Sequence, residues 1–159
     1  MDINLIPEIK TLLTAMTPVG ELRVALPIAL LSYKISVVPA YILSVMGNMI
    51  PVFLLLLFWK YFVEILMKYS KTFNNFFNWL FERTRKRFEG KYKKWGKVAL
   101  ILFVAIPLPI TGAWTGSLAA WLFNFKYWES IGLIFIGVCI SGMVVSLISL
   151  GGLNLANLI

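Results

Sequence analysis

The sequence has no histidine and only one cysteine, Cys139. One thiol and no imidazole cannot build a disulfide framework or a Cys/His zinc site, so no metal or other cofactor is expected. Charge is scarce too: 14% of residues are Asp, Glu, Lys or Arg, where a soluble domain carries roughly 25%. No paired carboxylates lie in an apolar stretch and no nucleotide-binding motif is present, so an enzyme is not expected. There is no Ser/Gly linker and no low-complexity tail. The N-terminal MDINLIPEIK lacks the basic n-region of a cleavable signal, and none is expected. Cys139 sits in an apolar run and reads as a small buried hydrophobe.

What is abundant is apolar surface. Hydrophobic residues make up 60% of the 159, more than a water-soluble fold of this size can hide. Residues 35–59, ISVVPAYILSVMGNMIPVFLLLLFW, and 130–150, SIGLIFIGVCISGMVVSLISL, carry no charge and are long enough to cross a hydrocarbon core of roughly 30 Å. Pro51 predicts a kink in the first span. Gly47 and Asn48 before it offer close backbone approach and a polar partner. The GGLNLANLI that follows the second span either prolongs it or ends at its glycines.

The net charge of +8 is concentrated. Residues 60–97 hold eleven Lys/Arg and three Glu. Because this run joins two apolar regions, contact with anionic lipid head groups is the expected role, not nucleic-acid binding. The positive-inside rule places it in the cytoplasm. Within it, Phe73, Phe77, Leu80, Thr84, Phe88, Tyr92 and Trp95 recur every three or four residues. That spacing describes an amphipathic helix in the interface, or a cytoplasmic hairpin that packs its aromatic face on the protein itself.

Two further apolar segments are broken in matching places. Residues 5–34 are interrupted at Thr17-Pro18-Val19-Gly20, then carry Glu21, Arg23 and Pro27. Residues 97–126 are interrupted at Pro107-Leu108-Pro109-Ile110-Thr111-Gly112. The flanks of the second break are too short to span alone, and Lys97 and Lys126 bracket it, so a helical hairpin that dips in and returns is expected. With Gly20 placed over Gly112, Ile35 falls on Tyr127. The expected fold is therefore an all-α integral membrane protein built as an inverted repeat. Each half is a re-entrant helical hairpin followed by a transmembrane helix, within a single membrane domain over 1–159. Repeat 1 covers about 5–59, the basic amphipathic linker 60–96, and repeat 2 about 97–159. A single kinked helix over 11–33 is the alternative for the first hairpin.

Glu21 and Arg23 are the ionisable pair inside a membrane-embedded stretch, where charge is functional by default. Arg23 could grip an anionic group through its planar fork, and Glu21 could exchange a proton; a structural pair neutralising the tip is the competing reading. Thr111 and Thr115 offer hydroxyls near the second tip. Gly112 and Gly116 permit close backbone approach, and Trp114 is either packing or a cation–π platform. The half-helices starting near Gly20 and Gly112 would aim unpaired N–H groups at an anion.

TPVGELRVALPIAL (17–30) and IPLPITGAWTGSLAA (106–120) resemble the two signature regions of the small multidrug export proteins, which are distantly similar to the DedA family. The resemblance covers nearly the whole chain and implies a prokaryotic cell-membrane protein with two facing re-entrant hairpins. DedA-like proteins are linked to moving lipids or polyprenyl-phosphate carriers across the bilayer. Their second hairpin typically carries arginines after its proline, where this chain has Thr111 and Thr115. The expected function is a transporter or flippase for an amphiphilic anion or lipid, with proton coupling an option. A small multidrug or cation exporter and a non-transport membrane-organising protein are the alternatives. A homodimer is compatible with so thin a wall, with the Gly/Ser side of the last helix, Gly137, Ser141 and Ser149, as its candidate surface.

Overall fold

The computed structural model describes residues 6–88, 92–108 and 111–156, and no strand occurs among them. Among the described residues, two helices are long and apolar enough to cross a membrane. One is α3, Val37–Tyr69, with mean hydropathy 2.1; the other lies in α7, Tyr127–Ala156, whose Tyr127–Gly152 portion has mean hydropathy 2.6. At 1.5 Å per residue α3 is about 50 Å long, so it outruns the hydrocarbon core. Its apolar run ends near Trp59 but the helix continues for ten residues, because Lys60, Glu64 and Lys68 end a span without disfavouring a helix. Likewise α7 runs through Gly151-Gly152 to Ala156.

Each long helix is preceded by a broken pair. Helix α1, Ile6–Met16, stops before Thr17-Pro18, and α2, Glu21–Pro27, starts after Gly20. Residues 11–33 are thus not one continuous helix. Pro27 has no N–H for the Arg23 carbonyl, and the next turn, Ile28–Ser32, widens to π-type bonding, with the Tyr33 N–H on the Ile28 carbonyl at 3.0 Å. That turn lies back against α1, so the chain reverses at the break. In the second half, α5, Tyr92–Ala105, and α6, Ala113–Leu122, flank the Pro107–Gly112 break and pack on each other. Both second half-helices close alike. Lys34 and Asn124 take left-handed φ of 53° and 55°, and the following N–H reaches back six residues or five: Ile35 to Ala29 and Phe125 to Ala120.

The packing is reciprocal. α1 lies on α3 and α5 on α7, within their own halves, whereas α2 and α6 each sit between the two long helices and reach across, α2 to α7 and α6 to α3. Close approach is set by small residues. A side chain at Gly47 would run into the Leu12 carbonyl at 2.5 Å, and one at Gly137 into Val104 at 2.7 Å. Gly137, Ser141 and Ser149 are therefore turned inward. This corrects the expectation that the Gly/Ser side of the last helix is free for a dimer: that side is used to seat α5 and α3. Tyr41 ties the long helices, its hydroxyl donating to the Cys139 carbonyl at 2.9 Å.

Leu22, Leu26, Val52, Leu100, Val104, Ile134 and Val138 form the core where these helices meet. The outside is as apolar as the inside. Ile42, Met46, Ile50, Leu54 and Phe58 run down α3, and Phe135, Ile140, Met143 and Leu147 down α7, all exposed. A belt of that extent fits hydrocarbon, not water.

Helix α4, Lys71–Phe88, follows α3 after Ser70. Its amphipathic stripe divides: Phe77 packs edge-on against Trp121 of α6 at 5.8 Å, while Phe73 stays exposed. Trp59 lies 6.4 Å from the same Trp121 ring. Of the stripe, the side chains of Phe73, Phe77 and Trp95 are described, and Leu80, Thr84, Phe88 and Tyr92 lie outside the described side chains. Lys97 on α5 meets Glu129, in the first turn of α7, at 2.5 Å.

Candidate functional site

The two breaks meet. At the first, the Thr17 hydroxyl donates to the Thr14 carbonyl at 2.8 Å and accepts the Gly20 N–H at 2.9 Å. Only glycine fits at position 20, because a Cβ would strike the Thr14 carbonyl and the Thr17 hydroxyl. Glu21 follows with φ of +42°, a left-handed conformation costing roughly 1–2 kcal/mol for a side-chain-bearing residue. From there its carboxylate lies on the second break. Oε1 accepts the Trp114 N–H at 3.2 Å, and Oε2 presses on Gly112. Gly112 has φ of +145° and no space for a Cβ, which would overlap the Glu21 carboxylate.

Arg23 completes a clasp. Its guanidinium donates to the carbonyls of Leu108 and Thr111, and to the Thr111 hydroxyl at 3.0 Å. The Thr111 hydroxyl in turn donates back to the Ile106 and Leu108 carbonyls, each at 2.9 Å. Glu21 thus fills the electropositive N-terminus of α6, and Arg23 donates to carbonyls of the break between α5 and α6. The two charges stand 4.0 Å apart, so each is held chiefly by the backbone of the second break. The anion that the α6 N-terminus receives is the protein's own carboxylate.

A cavity of about 690 Å³ lies beside the clasp. Pro18, Val24, Pro107, Leu108 and Leu118 make it mostly apolar, Trp59 and Trp114 supply aromatic walls, and Thr115 adds a hydroxyl. The Thr115 hydroxyl already leans on the Gly112 carbonyl at 3.4 Å. Such a volume suits a drug-sized molecule or one end of a lipid.

The structure brings together Glu21, Arg23, Thr111, Trp114, Thr115, Pro18, Gly20 and Pro107 at the cavity. Gly112 sits behind it under Glu21. Gly116 is a packing position, where a Cβ would meet Val104 at 2.6 Å, and Pro27 does not line the cavity. Pro109 lies outside the described residues. Trp59 was not foreseen, because as the last residue of an apolar span it reads as an interface anchor. Only the crossing of α6 over α3 brings it to the wall.

A family model described as "Putative small multi-drug export protein" matches residues 21–144, from the clasp glutamate into α7. No curated protein and no solved structure matches the chain.

Proposed function

The chain belongs to this small multi-drug export family, and from that premise we propose that it is a membrane transporter whose cargo occupies the cavity at the crossing hairpin tips. The cavity carries the reading. It is large, mostly apolar, walled by two indoles, and bounded by both breaks at once. A bulky amphiphile with an aromatic or aliphatic body fits such walls. Chemistry is not part of the proposal: the embedded charges are engaged with backbone, so the protein moves its cargo without transforming it, and needs no cofactor.

The topology we propose has both hairpins re-entrant and oppositely oriented, with the basic linker on the cytoplasmic face of a prokaryotic plasma membrane. Reciprocal packing supports it, since α2 on α7 and α6 on α3 are the contacts an inverted repeat would make. A site at such a repeat interface is a common place for alternating access.

Two cargo classes remain distinct. An uncharged or cationic aromatic amphiphile is favoured because Arg23 and the α6 N-terminus already have partners. An amphiphilic anion, such as a phospholipid or polyprenyl phosphate, is favoured by Arg23 lining the wall, where an opened clasp would free its fork. Reconstituted vesicles separate the two. Efflux of ethidium and flipping of a fluorescent phospholipid or polyprenyl phosphate are measured with the wild type and Val24→Trp, which fills the cavity. One cargo should move, and Val24→Trp should slow it by about tenfold. Transport unaffected by Val24→Trp would remove the cavity from the mechanism.

A further inference from the structure

The elbow made by the end of α3 and by α4 leaves a second surface unexplained by transport. The apolar face of α3 does not stop at Trp59. It continues past the span through Tyr61, Phe62 and Ile65 to Tyr69, which is 83% exposed. Helix α4 then presents Phe73, Phe76 and Trp79, spaced three residues apart and each about half exposed. Lys60, Lys68 and Lys71 stand exposed along the same elbow, within the segment that holds the whole net charge of +8.

From this we propose that the elbow is a docking surface for the anionic headgroup layer of the bilayer, with Phe73, Phe76 and Trp79 inserted at the acyl boundary. Four observations favour lipid over a second copy of the chain. The exposed aromatic face is continuous with the hydrocarbon-facing side of α3, so the phase covering one reaches the other. Tyr, Trp and Phe beside Lys is the composition of a membrane interface. A surface of net positive charge repels its own copy but attracts phosphate. The reach is short as well: ten helical residues beyond Trp59 extend only about 15 Å.

The test uses the full chain in which Cys139→Ala leaves no native thiol. The Tyr41 bond to position 139 is to the backbone carbonyl, so it survives this change. A single cysteine is placed by Phe76→Cys, or by Thr72→Cys, which lies on the same side and keeps every aromatic. Each is labelled with an environment-sensitive fluorophore in vesicles of neutral phosphatidylcholine, with or without phosphatidylglycerol. Quenching by a spin label near the headgroups should rise when the anionic lipid is present. The increment should vanish at high salt and in Lys68→Glu/Lys71→Glu. A label at Asn78→Cys, about 200° around the helix from Phe76, should change little. Equal quenching in neutral and anionic vesicles would overturn the proposal. So would excimer formation between labels on two chains, which would make a second copy the occupant.

Discussion

At Gly112 two constraints coincide: a φ of +145° and a carboxylate packed where a Cβ would stand. Gly112→Ala is expected to lower stability by roughly 1–3 kcal/mol and to impair transport, because Glu21 must leave the α6 N-terminus. Gly132→Ala on α7, where nothing lies within 4 Å, should be neutral or stabilising by about 0.5–1 kcal/mol, as for a helix-interior glycine. Thermal unfolding of the two variants in detergent checks the contrast. Arg23 makes a sharper case. Arg23→Ala takes the guanidinium from the Thr111 and Leu108 carbonyls and leaves Glu21 with the Trp114 N–H alone, a loss on the order of 1–3 kcal/mol. Arg23→Lys restores the charge but not the fork, so it should recover only part of that stability. Full recovery by lysine would show that charge alone closes the clasp.

Among the elements, the breaks were the most legible. Thr17-Pro18-Val19-Gly20 and Pro107 to Gly112 stop helices for reasons written in single residues, namely missing N–H groups and close approach. The spans were legible from hydropathy, but the ten helical residues of α3 beyond Trp59 were not, since Lys60, Glu64 and Lys68 interrupt the uncharged run there. The stripe on α4 was visible as periodicity, yet not its division into an inward Phe77 and an outward Phe73. That depends on Trp121, 44 residues away in sequence. The candidate site was half legible for the same reason. Glu21, Arg23 and Thr111 stand out by type, but their partnership spans 88 to 93 residues and no local pattern encodes it. At this scale Phe77→Ala should loosen α4 from α6 and shift the emission of the Trp59–Trp121 cluster, with the clasp intact. An unchanged spectrum would mean that α4 holds its place through α3 and α5.

For the whole molecule, the proposed inverted arrangement is decided by sidedness. Single cysteines at the two ends of residues 11–33 should react from one face of the membrane, and those at the ends of 97–126 from the other. Opposite-face labelling at the two ends of 11–33 would replace that hairpin with a span and move the linker relative to the N-terminus. Small side chains at the helix crossings, Gly47 and Gly137, make the assembly dense near its centre. Gly47→Val, meeting the Leu12 backbone and Ala15, should therefore destabilise the first half by about 1–3 kcal/mol. Comparing its thermal midpoint with that of Gly151→Val, which has open space, separates packing from propensity.

The clasp also sets an order of events during synthesis. Glu21 emerges from the ribosome 93 residues ahead of the Trp114 N–H that receives it. Until then the first break carries a carboxylate and a guanidinium without their backbone partners, a poor passenger for hydrocarbon. The first break can therefore reach its clasped form only after the second has been made. Nascent chains stopped before Gly112 should keep the Thr17–Gly20 turn open to protease, and those extended past Leu122 should protect it.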